Sequence, residues 1–205
     1  MANAPLSAGS LPLREALCDL AARYHQLGWM RGTSGNLSAS FPGDEGQRLV
    51  VITASGHPKG SLALEDFVEV NLGGDVVGAG PGQRPSAETS IHLAIYRRRP
   101  GAGVALHVHT VASTVLDAPE GAPGIVDCTG YEMVKGWGLW DEGATALLPV
   151  FENHADVPRI AGEIEEWLLD GGGVPALVIR RHGLTAWGDD LLSADRHLEV
   201  AEFLC

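Results

Sequence analysis

The sequence predicts a mixed α/β protein whose strands are mainly antiparallel, and three observations carry that prediction. Apolar residues recur at intervals of three and four near both ends of the chain, the mark of helices with one buried face. Between them lie short β-branched runs bounded by glycine and proline. One such run, Phe67 to Leu72, turns at Gly73-Gly74 toward Asp75-Val76-Val77, as a hairpin does. At 205 residues and 45% hydrophobic, the chain has enough apolar material for one sizeable core, so residues 1–205 are expected to form one domain.

Taken in order, the first ten residues lack a basic stretch and a long apolar run, and are expected to be a flexible leader with no signal peptide. Leu13, Ala16, Leu17, Leu20, Ala21, Tyr24 and Leu27 line one helical face, with Gly28 as the stop. Arg31-Gly32-Thr33-Ser34-Gly35-Asn36-Leu37-Ser38 follows. Its plain reading is a turn into a strand, and its alternative is a place where backbone N–H groups and short hydroxyls approach an anion. Arg48 to Thr53 is a buried strand that empties into a second small-residue loop, Ala54-Ser55-Gly56-His57.

Pro85-Ser86-Ala87-Glu88-Thr89 opens a helix with Ser86 as the expected N-cap, and Ile91, Ala94, Ile95 and Arg98 share one side up to Pro100-Gly101. Free N–H groups at a helix start attract anions, which makes Ser86 a third small polar group suited to a phosphate. Glu88 sits in the first turn, where an acid is favoured on structural grounds alone.

Gly103 to Thr110 reads as a strand, and its period of two places Ala105, His107 and His109 on one face with Val104, Leu106 and Val108 on the other. Two imidazoles pointing the same way from a rigid strand are suited to a divalent metal, yet the pair alone fits two hydrogen-bonded histidines equally well. A Pro- and Gly-rich loop region comes next. Glu132 and Lys135 then stand three apart beside Trp137 and Trp140, either an exposed ion pair or an acid and a base with work to do.

Ala144 to Val150 is a further strand, and Phe151 to Asp156 leads into a helix holding Ile160, Ile164, Trp167 and Leu168. Pro175 to Arg180 is a buried strand that runs into Arg181-His182-Gly183, which offers a third imidazole, before Leu184 to Trp187 returns as a short strand. The last helix packs through Leu191, Ala194, Leu198, Ala201 and Leu204, with His197 and Glu202 expected in solvent.

A formal charge of −12 argues against a general binder of nucleic acid or anionic membrane, so an anionic substrate needs a local positive site. Cys18, Cys128 and Cys205 form no metal-binding spacing and, being odd in number, no disulfide framework, which suits a reducing cytoplasm. No apolar stretch approaches the roughly 18 residues of a membrane span.

In order along the chain, GTSGNLS, ITASG, PSAETSIHLAIY, LHVHT and RHG resemble the class II aldolase/adducin family over nearly the whole length. Within it, GYEMVKG, LPVFENHADVPRIA and the ending RRHGLTAWG with RHLEVAEFL look most like a dehydratase branch. Members of that branch remove water from a methylthio-substituted ketose 1-phosphate in methionine salvage. The resemblance implies a three-layer α/β/α domain with a largely antiparallel central sheet, assembled as a homotetramer. It also implies one zinc per subunit on His107, His109 and His182, and Glu132 as catalytic acid/base, although Tyr131 stands where relatives often have Gln. Asn36, Ser55, Gly56 and Ser86 match the phosphate cradle, and Glu88 matches a metal ligand or substrate contact.

The implied reaction is a β-elimination: a proton leaves C3, next to the C2 ketone, and the hydroxyl leaves C4, giving a 2,3-diketone. Zinc would stabilise the charge that develops, Glu132 would move the proton, and Met133, Trp137 or Trp140 would wall the methylthio tail. The competing readings are a sugar-phosphate aldolase or 4-epimerase on the same site, and a non-catalytic adducin-like binding module.

Overall fold

A computed structural model describes residues 4–121, 123–171 and 173–205. Its elements, in chain order, are α1 (Leu11–Gln26), β1 (Asn36–Pro42), β2 (Arg48–Thr53), β3 (Phe67–Asn71), β4 (Val76–Ala79), α2 (Thr89–Arg98) and β5 (Val104–Val108). There follow α3 (Val111–Val115), β6 (Gly124–Asp127), β7 (Leu147–Phe151), α4 (Val157–Leu169), β8 (Ala176–Ile179), β9 (Gly183–Gly188) and α5 (Leu191–Leu204).

The strands form one nine-stranded sheet in the order β4-β3-β2-β1-β5-β9-β8-β7-β6. Neighbours are antiparallel except β7 and β8, which run parallel because α4 carries the chain back between them. Each face of the sheet buries its own apolar cluster. On one face Leu37, Ala39, Val104, Leu106, Leu184 and Ala186 pack against α1 and α5. On the other, Ala105, Leu177, Ile179 and Trp187 pack against α2 and α4. Ile160, Ile164 and Leu168 recur at helical spacing on α4 and are almost wholly buried there, each contributing about 1.5–3 kcal/mol of transfer free energy. The result is the helix–sheet–helix layering that the family resemblance implied.

Alternation along β5 directs His107 to the α2/α4 face while Val104, Leu106 and Val108 enter the other core. Register then builds a row across three strands: Asn36 of β1 lies opposite His107, and His107 lies opposite Thr185 of β9. The start of β1, the end of β2, the end of β5 and the start of β9 therefore meet at one end of the sheet.

Four local expectations change. The helix at 86–98 begins at Thr89; Ser86 closes the turn before it, its carbonyl accepting from Thr89 N at 3.1 Å and its hydroxyl from Glu88 N at 3.3 Å. The Pro- and Gly-rich stretch after His109 contains α3 and the edge strand β6, both too short to show a period. His197 is half-buried, its Nδ1 facing Trp187 O at 2.7 Å while its own carbonyl accepts from Trp137 Nε1. Of the expected leader, residues 1–3 lie outside the described residues, and from Ala4 the chain is tied to the sheet through Ala79 N to Ala4 O and Ser7 to Glu69. Among the described residues no helix is long and apolar enough to cross a membrane.

Candidate metal centre

Glu88, His107, His109 and His182 converge so that one ligand atom from each lies within 4.8 Å of all the others. His107 comes from β5, His109 from just beyond it, His182 from the turn into β9, and Glu88 from the residue ahead of α2. The three imidazole rings stand nearly edge to face, with centroids 4.9, 5.1 and 4.6 Å apart. Nε2 of His107 lies 2.9 Å from Nε2 of His109, and the Glu88 carboxylate reaches Nε2 of His182 at 2.8 Å and Nε2 of His107 at 3.5 Å. Tetrahedral coordination with bonds of about 2.0–2.1 Å calls for ligand atoms about 3.3 Å apart, so these separations bracket what a single ion needs.

Two neighbouring glycines permit the approach. A Cβ on Gly35 would lie 2.8 Å from the His107 carbonyl oxygen, and one on Gly183 would strike Val108 O and come within 3.0 Å of the His109 ring. Between β8 and β9, Arg181 adopts a left-handed φ of 55°, which costs roughly 1 kcal/mol outside glycine and turns the chain so that His182 faces the cluster.

The surrounding hydrogen bonds set protonation. Thr185 Oγ1 lies 2.8 Å from His107 Nδ1; with Nδ1–H donating there, the Nε2 lone pair is free for a cation. Asn36 donates its amide to Glu88 and accepts from His92 Nε2 at 2.6 Å, which leaves His92 Nδ1 to accept from Ser38 Oγ at 2.7 Å. Ser38 in turn meets the Tyr96 hydroxyl at 2.8 Å. A buried relay thus runs from the carboxylate into the α2/α4 core.

Burial pushes His107 down to about 3 and His92 down to about 4, and also lowers His109, so all three rings stay neutral. Burial by itself would raise the Glu88 carboxyl, but His107, His182 and Asn36 facing it more than offset this and hold it well below the usual range. Neutral imidazoles beside an ionised carboxylate are the donor state a divalent cation requires. Among the described residues His182 Nδ1 is buried without a hydrogen-bond partner, a polar atom left over from the protein's own network.

A cavity of about 210 Å³ opens beside the cluster, between the loops at 33–35 and 54–56 and the turn at 86–88. Ser55, Gly56 and Ser86 line it, as do Asn36, Glu88 and His109. Asn36 is almost fully buried and has both ends of its amide engaged, so it holds Glu88 and His92 in place. Lys59 also lines this cavity, and nothing in its sequence surroundings marked it out. Thr185 and His92 were missed as well, because only strand register and helix packing bring them to the site.

Glu132 does not join the group. β6 runs opposite to β7, so the chain leaves it at the end of the sheet away from the cluster. Glu132 then opens a 3-10 turn, Glu132–Trp137, whose Val134 and Trp137 pack into the α1/α5 core on the other face. Its side chain is 82% exposed and pairs with Lys135 at 2.6 Å. Trp137 is buried beneath α5 and Trp140 is exposed, so neither walls the cavity of its own chain.

Comparison with known proteins follows the same lines. The description "Class II Aldolase and Adducin N-terminal domain" matches residues 15–205. The chain is 42% identical over 193 residues to the methylthioribulose-1-phosphate dehydratase of Microcystis aeruginosa, covering 93% of this chain and 92% of that one. It is 40% identical over 189 residues to the enzyme of the same name from Sorangium cellulosum, covering 92% and 87%. The crystal structure of YgbL from Escherichia coli superposes with a TM-score of 0.77 at 25% identity, over 95% of this chain and 87% of that one.

Proposed function

Because the chain belongs to the class II aldolase and adducin N-terminal domain family, we propose that it is a zinc-dependent hydro-lyase of methionine salvage. Its substrate is 5-methylthioribulose 1-phosphate, and its product is 2,3-diketo-5-methylthiopentyl 1-phosphate. The observation that carries this reading is the convergence of three imidazoles and one carboxylate beside a cavity lined with small polar groups. Relatives about 40% identical that bear the dehydratase name support the substrate.

His107, His109 and His182 would hold the ion, with Glu88 as the fourth donor of the set. Three nitrogens and one oxygen suit zinc among the common divalent cations. When bound, the cation acts as a Lewis acid on the C2 ketone, worth several kcal/mol to the charge that develops as the C3 proton leaves. Ser55, Gly56 and Ser86 receive the phosphate, which fixes C2 and C3 against the cluster.

Glu132 takes the C3 proton and returns it to the departing C4 hydroxyl. Its place at the far end and opposite face of the sheet supports a reading in which it serves the site of a second copy, within a homotetramer. Exposure of Glu132, Tyr131 and Trp140 together supports such an arrangement. The partners are then a small sugar phosphate and further copies of the chain, with no nucleic acid or membrane. Three free cysteines fit the cytoplasm.

The test is to follow diketone formation from the methylthio ketose phosphate while measuring bound metal. One zinc per chain and diketone as product are expected. Release of dihydroxyacetone phosphate, or a C4 epimer, would move the reading to an aldolase or epimerase; absence of both metal and turnover would leave a binding module.

A further inference from the structure

The chain has only two lysines, Lys59 and Lys135, and Lys59 is among its largest fully buried side chains at 2% or less exposure. Its ammonium donates to Thr33 O at 3.0 Å and to His57 O at 2.9 Å. These carbonyls belong to the two loops that wall the cavity beside the metal centre. Among the described residues no carboxylate forms an ion pair with it, so two of three N–H groups meet neutral acceptors and the third is left for the cavity. A desolvated cation without a counter-ion is costly, and burial does lower its pKa, with Glu88 and Asp66 opposing from a distance. Ser55, Gly56 and Ser86 around it are uncharged donors.

We propose that Lys59 supplies the positive charge that binds the phosphate monoester of the substrate, while its two carbonyl bonds set the spacing of the loops that receive it. The proposal rests on the sugar-phosphate reading of the site. It answers the question that the acidic composition raises: a chain of charge −12 holds a dianion with one buried ammonium, in a cavity that the Glu88 carboxylate also lines. It also gives a use to a buried lysine that, among the described residues, no carboxylate pairs with. A charge-assisted bond of this kind carries about 10- to 100-fold in affinity.

Two measurements on the metal-loaded protein test it. In the wild type labelled at lysine nitrogen, only two ammonium signals exist, so inorganic phosphate should shift the one that disappears in Lys59→Arg and leave that of Lys135 in place. In Lys59→Met, kcat/KM for the phosphorylated ketose should fall about 10²-fold more than for the dephosphorylated ketose, mainly through KM, with competition by inorganic phosphate lost in parallel. Lys59→Arg should recover part of both, and metal content should be unchanged. Equal losses on the two ketoses, or a Lys59 signal that phosphate does not move in an enzyme that phosphate inhibits, would overturn the role of Lys59 and leave the dehydratase reading standing. A shifted Lys59 signal in a protein that forms no diketone would uphold the phosphate site and remove the proposed reaction.

Discussion

Asn36 joins Glu88 to His92: its amide nitrogen donates to the Glu88 carboxylate and its oxygen accepts from His92 Nε2 at 2.6 Å. The carboxylate is thereby aimed at the imidazoles by a side chain that is itself clamped from behind. Asn36→Ala should leave Glu88 free to rotate and should lower metal affinity by roughly 10- to 100-fold, as loss of an orienting partner does. Competition with a metal indicator checks this; unchanged affinity would mean that Asn36 merely fills space.

Thr185 offers a cleaner version of the same question, because valine keeps its shape and its place in β9. Thr185→Val removes the 2.8 Å partner of His107 Nδ1 and strands a buried donor. Metal affinity should again fall by roughly 10- to 100-fold, while the metal-free protein loses no more stability than the roughly 1–3 kcal/mol of one stranded donor. A larger loss would mark Thr185 as a stability residue instead.

Glu132→Gln and His107→Ala should each abolish turnover, the first with metal retained and the second with metal lost. If Glu132 of one copy serves the metal of another, refolding the two inactive variants together should restore about a quarter of the wild-type rate, the fraction of randomly mixed sites with both parts intact. No recovery from well-mixed oligomers would confine Glu132 to its own subunit, where the sheet geometry leaves it no path to the cluster.

Acid should weaken the metal-free fold. His92 titrates at about 4 in the fold against an ordinary 6.5, because it is fully buried. Between those values the unfolded chain binds the extra proton, so this contribution is complete above 6.5 and is lost as pH falls toward 4. Burial of His107 and His109 acts in the same direction. Denaturant midpoints for the metal-free protein should fall across that window, and His92→Gln, which cannot titrate, should show a shallower slope. Parallel slopes would assign the acid sensitivity elsewhere.

Much of this was legible in the sequence where local chemistry decides. The run Arg48–Thr53 is β2 to the residue, and alternation along Gly103–Thr110 correctly placed His107 on one face and Val108 on the other. His182 was marked by the glycine after it, since Gly183 alone permits contact with Val108. What stayed hidden depends on pairing at a distance. Thr185 matters because register sets it opposite His107, and His92 because α2 lies across β1; neither fact has a local signature. Ser86 misled because the turn it closes ends where the helix begins. β6 is an edge strand of four residues, visible only once β7 lies beside it.

The cross-strand row from Asn36 through His107 to Thr185 is fastened by ladder hydrogen bonds, so the gap between His107 and the start of β9 is set by the pleat of the sheet. A receptacle built that way keeps its shape when emptied. The protein should therefore tolerate stripping by a chelator and reloading with cobalt without refolding, and the colour of the substituted ion would report directly on what enters the cleft.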